Sequence, residues 1–131
     1  MMEQVKPRKV LVVEDNPVVS KVLEKYTQAK LDCGLTVYLA SDGLKGYETA
    51  VAERPDLILL DLNMPIYNGK WFLETSKRDP QLAGTPVIVY SAADDDAVKT
   101  IQKEFPAVKT ALKKPVTPSH LVKVIQQYLS I

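Results

Sequence analysis

The sequence predicts an α/β protein built on a parallel sheet of five strands covered by five helices. Three apolar runs of strand length, without polar alternation, lie at residues 10–13, 57–60 and 87–90. Such runs are typical of strands buried on both faces, as in a parallel sheet covered by helices. Segments with helical spacing of apolar residues lie between the runs, and this alternation of strand and helix defines the class.

The composition and charge of the chain argue against several classes of protein. The chain has 131 residues, a formal net charge of +1 and one cysteine. The balanced charge argues against a dedicated nucleic-acid binder, and a single cysteine excludes an internal disulfide. The sequence contains neither a signal-peptide core nor an apolar run of roughly 18 residues that would span a membrane. We therefore expect one cytoplasmic domain over residues 1–131, with its core at about 8–130 and no output domain in this chain.

Two weaker segments complete the predicted sheet. Residues 35–40 and 110–113 mix apolar and polar side chains, as partly exposed edge strands do. With these two segments at the edges and with right-handed crossovers, the strand order is 2-1-3-4-5. This is the flavodoxin-like doubly wound arrangement, (βα)5, with helices on both faces of the sheet.

Capping signals mark the helices in order. Asn16 is a candidate N-cap with Pro17 at the first helical position, and Cys33-Gly34 is the predicted exit of that first helix. The other helices are predicted from Ser41 or Asp42 to about 53, from about 70 to 77, from one of Asp94, Asp95 and Asp96 to about 105, and from Thr117-Pro118 onward.

Polar residues follow the strands at one edge of the predicted sheet. Glu14 and Asp15 end the first strand, Asp61 ends the third, Ser91 ends the fourth, and Lys114 lies just beyond the fifth. Ligands of open parallel sheets bind outside the carboxyl ends of the strands, where the strand order reverses. The first and third strands flank that point, so three carboxylates should converge there beside a hydroxyl and an ammonium group.

These side chains indicate phosphoryl-transfer chemistry. Three crowded carboxylates repel one another unless a cation neutralises them, and Mg²⁺ takes a few carboxylates while keeping water or phosphate oxygens as its other ligands. Lys114 supplies a positive charge suited to a phosphoryl oxygen, and Ser91 supplies a hydrogen-bond donor. Asp61 is then the candidate nucleophile, which would form an aspartyl phosphate.

Four short motifs occur in order along the chain: Val12-Val13-Glu14-Asp15-Asn16, Asp61-Leu62-Asn63-Met64-Pro65 with Gly69, Ser91-Ala92, and Lys114-Pro115. Each motif is weak alone, whereas the ordered set at this spacing is specific. The set resembles the receiver domain of two-component response regulators, and the resemblance covers nearly the whole chain.

The resemblance implies a phosphoacceptor and a metal site. Asp61 would accept a phosphoryl group from a histidine kinase or a histidine phosphotransfer protein. Mg²⁺ would be held by Glu14, Asp15, Asp61 and the backbone carbonyl of Asn63. The chain would then be a signalling domain that assists its own phosphorylation and dephosphorylation, and not an enzyme acting on a separate substrate.

The resemblance also implies an output. Ser91 and Lys114 would contact the phosphoryl oxygens and convert phosphorylation into a shift of the surrounding loops, with Lys114-Pro115 as a cis peptide. The partner would be a downstream protein effector, with no direct nucleic-acid or membrane contact; a homodimer through the fourth helix, fifth strand and fifth helix is an open alternative. One departure concerns this output, because the family usually has an aromatic residue where this chain has Ala111.

Other functions fit these residues less well. A pseudo-receiver that binds partners constitutively is favoured only by Ala111. A haloacid-dehalogenase-type phosphatase requires a second acid two residues after its nucleophile, where this chain has Asn63. A flavodoxin-like FMN protein requires hydrogen-bond donors where Glu14 and Asp15 stand. The Asp94-Asp95-Asp96 run is interpreted as a solvated helix start and not as a second metal site.

Overall fold

The computed structural model describes residues 8–29, 34–64, 66–92 and 95–130. Strands and helices alternate through these ranges. The strands are β1 (Arg8–Val13), β2 (Leu35–Ala40), β3 (Leu57–Asp61), β4 (Val87–Ser91) and β5 (Val108–Lys113). The helices are α1 (Pro17–Ala29), α2 (Gly43–Glu53), α3 (Gly69–Lys77), α4 (Asp95–Glu104) and α5 (Pro118–Leu129). None of the described helices is long and apolar enough to cross a membrane.

The five strands form one parallel sheet in the order β2-β1-β3-β4-β5, which confirms the predicted flavodoxin-like order. Every residue of β3 and β4 is buried, whereas β2 and β5 carry exposed positions. The predicted edge strands are therefore the observed ones. The prediction for β5 was short at its start, because the strand begins at Val108 and not at Thr110.

Alternate residues of each central strand pack on opposite faces of the sheet. On one face, Leu11 and Leu60 pack with α2, α3 and α4, where Phe72 is fully buried. On the other face, Val12 and Leu59 pack with α1 and α5. Side chains of successive strand residues point to opposite sides, so each strand contributes to both cores. Helices on both faces are as predicted.

Side-chain caps begin four of the described helices, and those of α1, α2 and α5 are at predicted positions. Asn16 accepts a hydrogen bond from the backbone N–H of Val18, and Asp42, not Ser41, caps α2. Asn68 caps α3 and Thr117 caps α5. Gly34 has the left-handed conformation predicted for the exit from α1, with φ 75°. Cys33 and Asp94, which appeared in the predicted helix boundaries, lie outside the described residues.

Gly69 begins α3 in close contact with the chain that follows β3. A Cβ atom at Gly69 would lie 2.7 Å from the Cα of Leu62 and 3.0 Å from the carbonyl oxygen of Asp61. These are backbone atoms, so an added methyl group would displace the segment that carries Asp61. The helix begins at Gly69, one residue before the predicted start at about Lys70.

We predict that Gly69→Ala lowers the free energy of unfolding by about 1–3 kcal/mol, because the site has no room for a methyl group. Urea unfolding followed by circular dichroism measures the change. Gly84→Ala is the matched control, since a Cβ at Gly84 meets no described atom within 4 Å. Equal stability of the two variants would contradict the prediction.

Candidate functional site

A cleft of about 260 Å³ opens at the carboxyl ends of β1, β3 and β5, where the strand order reverses. The cleft is lined by Glu14, Asp15, Asn16, Val19, Asp61, Asn63, Tyr90, Lys114, Pro115 and Val116. Five of the six site residues predicted from the sequence are in this lining. A second cavity, of about 250 Å³, lies at the amino ends of β3 and β4 and is lined mainly by apolar side chains.

Two of the three predicted acidic residues are buried in the cleft. Glu14 is 6% exposed and Asp61 is 1% exposed, whereas Asp15 is exposed. One oxygen atom from each of the three carboxylates lies within 4.8 Å of the other two. Buried carboxylates are costly without a compensating cation, and hard divalent ions prefer oxygen ligands. The donor set therefore fits a Mg²⁺ ion.

Asp61 is held by two donors at one of its oxygens. The Lys114 Nζ lies 2.9 Å from Asp61 Oδ1, and the backbone N–H of Asn63 donates to the same oxygen at 2.9 Å. The Lys114 side chain is 31% exposed, so its ammonium group reaches the buried carboxylate from the solvent side. Its neighbour Lys113 is exposed.

The backbone also places Lys114 in the cleft. The N–H of Lys114 donates to the carbonyl oxygen of Ser91 at 2.9 Å, which joins the ends of β4 and β5. The Lys114-Pro115 peptide bond is cis, as the resemblance implied.

Ser91 does not line the acidic cleft. It is 1% exposed at the end of β4 and lines a neighbouring depression, together with Asn63 and residues of α4. Asn63 connects the two places, because its Oδ1 accepts a hydrogen bond from the backbone N–H of Ala92 at 2.8 Å. Pro65, which belongs to the motif after Asp61, lies outside the described residues.

Tyr90 also lines the cleft, although it was not among the site residues predicted from the sequence. Its hydroxyl donates to Glu14 Oε1 at 2.9 Å, and its ring centroid lies 5.8 Å from the Lys114 Nζ. The sequence signal that could have identified Tyr90 is an aromatic residue with a hydroxyl group inside an otherwise aliphatic strand. A buried tyrosine hydroxyl usually finds a hydrogen-bond partner.

Burial controls the electrostatics of Glu14. It raises the pKa of the Glu14 carboxyl from 4.5 to about 7, and the charge of Asp61 adds to the increase. Hydrogen bonds from the Tyr90 hydroxyl and the Asn16 N–H oppose the increase. Burial, followed by the charge of Glu14, raises the pKa of Tyr90 well above its ordinary value. Tyr90 therefore stays protonated and is the donor to Glu14.

Ala111 lies on the other face of the sheet from Tyr90. It pairs with Val89 and packs on the side of α2, α3 and α4, whereas Tyr90 packs on the side of α1 and α5. Phe105 precedes β5, where Val108 donates to its carbonyl oxygen. Phe105 belongs to the same buried cluster against which Ala111 packs.

We predict that, with divalent ions removed by chelation, the Glu14 carboxyl makes the free energy of unfolding fall as the pH rises from about 4.5 through 7. The native state binds this proton more tightly than the unfolded chain does, so the stabilisation is complete below pH 4.5 and is lost as the pH passes the native pKa. Urea unfolding at pH 5 and pH 8 measures the effect.

Glu14→Gln is the control for this pH dependence, because the amide does not titrate. The stability of the native sequence relative to Glu14→Gln should be lower at pH 8 than at pH 5. A difference that is the same at both pH values would contradict the prediction.

Comparison with known proteins agrees with this geometry. The family model of the response regulator receiver domain matches residues 10–126. Protein PilH of Pseudomonas aeruginosa is 30% identical over 126 residues, which cover 93% of this chain and 98% of PilH. The chain spans 53%, 31% and 12% of the length of three other curated relatives that it matches.

Two solved structures share the fold. The phosphorylated cyanobacterial phytochrome response regulator RcpA has a TM-score of 0.75 and 29% identity, covering 94% of this chain and 91% of that one. The receiver domain of the sensor histidine kinase PA1611 from Pseudomonas aeruginosa, solved with a magnesium ion in its active-site cleft, has a TM-score of 0.73 and 26% identity, covering 96% and 100%. Fold, ordered motifs and family match agree, and the chain belongs to the response regulator receiver domains of two-component signalling.

Proposed function

We propose that Asp61 accepts a phosphoryl group from a phosphohistidine donor in a Mg²⁺-dependent reaction, and that phosphorylation switches protein–protein interactions. One observation carries the proposal: Asp61 is a buried carboxylate that shares its cleft with two further acids and with the ammonium group of Lys114. The donor would be a histidine kinase or a histidine phosphotransfer protein, and the output partner would be a protein.

The metal would be held by Glu14, Asp15, Asp61 and the backbone carbonyl of Asn63. The proximity of the three carboxylate oxygens supports this assignment, as does the magnesium ion in the related PA1611 receiver domain. Bound Mg²⁺ would neutralise the negative charge that accumulates when a phosphoryl group approaches the acidic cleft. The residues themselves hold Asp61 in place, since Lys114 and the Asn63 N–H both bind Oδ1.

In the transfer step, the second oxygen of Asp61 attacks the phosphorus atom of the donor. The P–N bond to the donor histidine breaks, its electron pair returns to the imidazole nitrogen, and that nitrogen takes up a proton from water. Lys114 would then move from Asp61 Oδ1 to a phosphoryl oxygen. The phosphorylated state of the related regulator RcpA supports the covalent product.

The switch would act through the end of β4. Ser91 lines the depression next to the cleft, and its hydroxyl would contact the phosphoryl group. Any movement there would strain the hydrogen bond between Asn63 and the N–H of Ala92 and the backbone bond from Lys114 to Ser91. Because α4 begins three residues after Ala92, such a movement would be passed on to α4. We propose that the surface formed by α4 contacts the partner.

We predict that incubation with Mg²⁺ and acetyl phosphate adds one phosphoryl group to the chain. Intact mass spectrometry measures the gain, which should disappear in Asp61→Asn because an amide is a poor nucleophile. Asp96→Asn is the matched control, since Asp96 is an exposed acid in the first turn of α4.

Modification of Asp61→Asn to the same extent as the native chain would assign the phosphoacceptor to another residue. If neither acetyl phosphate nor a phosphorylated histidine donor modifies the native chain, the alternative of a constitutive pseudo-receiver would replace this proposal.

We predict that Lys114→Ala still accepts a phosphoryl group but loses the conformational response. The reason is that Lys114 joins Asp61 to the strand ends while Asp61 supplies the nucleophile. Hydrogen exchange of the loop after β4 and of α4, with and without acetyl phosphate, measures the response. The control is Lys113→Ala, which removes an exposed lysine. A full response in Lys114→Ala would contradict the assigned role.

A further inference from the structure

We propose that Tyr90 is a positioning residue of the metal site, whose hydroxyl holds the Glu14 carboxylate in the orientation that binds a divalent cation. The inference deepens the proposed function and rests on it, since it assumes that the acidic cleft takes Mg²⁺. It assigns the affinity for the ion partly to a side chain that is not itself a ligand.

The two oxygens of Glu14 have separate donors. The Tyr90 hydroxyl donates to Oε1 at 2.9 Å, and the backbone N–H of Asn16 donates to Oε2 at 3.2 Å. Two donors on the two oxygens restrict rotation of the carboxylate about its terminal bond. Each carboxylate oxygen retains a lone pair after accepting one hydrogen bond, so this arrangement leaves Glu14 able to bind a cation.

Tyr90 is itself held firmly. It is 2% exposed, lies in the second strand from the edge β5, and packs in the core beneath α1 and α5. Its carbonyl oxygen accepts the N–H of Leu62, and in the strand register it pairs with Asp61. The hydroxyl therefore projects from the backbone that also positions the phosphoacceptor. A group held in this way can hold Glu14 at a fixed distance from Asp61.

The Tyr90 ring also lies near the ammonium group of Lys114. The Lys114 Nζ lies 5.8 Å from the Tyr90 ring centroid and 2.9 Å from Asp61 Oδ1. Tyr90 thus contacts the acidic side of the cleft through its hydroxyl and the basic side through its ring. Tyr90→Phe separates these contacts, because phenylalanine keeps the ring and loses only the hydroxyl.

Loss of the Tyr90 hydroxyl should lower the affinity for the metal ion. Without the Tyr90 hydroxyl, Oε1 of the buried Glu14 loses its donor, and the side chain must be ordered when the ion binds. Hydrogen-bond partners of metal ligands typically change affinity by about 10- to 100-fold when they are removed. We expect the lower end of this range, since the Asn16 N–H remains on Oε2.

The test is titration calorimetry of Mg²⁺ into the unphosphorylated full chain. Tyr90→Phe should bind Mg²⁺ about tenfold more weakly than the native sequence. Tyr38→Phe is the matched control, because Tyr38 lies near Glu53 and outside the cleft, and its Mg²⁺ affinity should be unchanged. An unchanged affinity in Tyr90→Phe, even with a lower melting temperature, would show a merely structural role and overturn the inference.

A double-mutant cycle tests whether the hydroxyl acts through Glu14. In a Glu14→Gln background, Tyr90→Phe should cause no further loss of Mg²⁺ affinity. A second tenfold loss there would overturn the inference, because the hydroxyl would then act on another group.

The native chain supplies a measurement that needs no substitution. The ¹³Cζ resonance of Tyr90 reports the hydrogen bond of its hydroxyl, and it should shift during Mg²⁺ titration with the midpoint found by calorimetry. A resonance that stays constant while the ion binds would overturn the inference and leave the proposed function standing. If the native chain binds no Mg²⁺, both the inference and the metal-dependent function are wrong.

Discussion

The desolvation of two carboxylates is the constraint on which the rest of the site depends. Glu14 and Asp61 are buried at the carboxyl edge of the sheet, so both carboxyl groups lose most of their contact with water. Lys114 and the Asn63 N–H compensate Asp61, whereas Tyr90 and Asn16 compensate Glu14. Glu14 has no lysine or arginine among these partners, and its raised pKa reflects that incomplete compensation. A divalent cation would remove the remaining cost, which links the burial of the acids to metal binding.

Strand β4, which lies beside β3 in the sheet, connects the site to the cores on both faces of the sheet. Tyr90 and Ser91 are adjacent in β4, so their side chains lie on opposite faces. Tyr90 reaches the acidic cleft from the side of α1 and α5, and Ser91 lies in the depression beside α4. Strand β4 therefore contacts the acidic cleft through Tyr90 and the depression beside α4 through Ser91. At the β5 position where the family usually has an aromatic residue, this chain has Ala111.

Much of the architecture was predictable from local patterns. Continuous apolar runs marked β1, β3 and β4 because central parallel strands are buried on both faces, and the mixed runs marked the edges. The acids and Lys114 were predictable site residues because parallel strands end at the same edge of a sheet. Boundaries were less predictable. The start of β5 at Val108 and of α3 at Gly69 depend on pairing with β4 and on close contact with the backbone at Leu62.

The sequence by itself determined the fold class, the strand order and most of the groups at the switch point, because these follow from periodicity and from the order of elements along the chain. Tertiary structure alone decided which groups touch. It placed the Tyr90 hydroxyl on Glu14, seventy-six residues away, and placed Ser91 in the depression beside α4. It also decided the raised pKa of Glu14, since burial by distant strands is the main cause. Such contacts depend on side-chain direction and on desolvation, which become defined only when the strands are packed together.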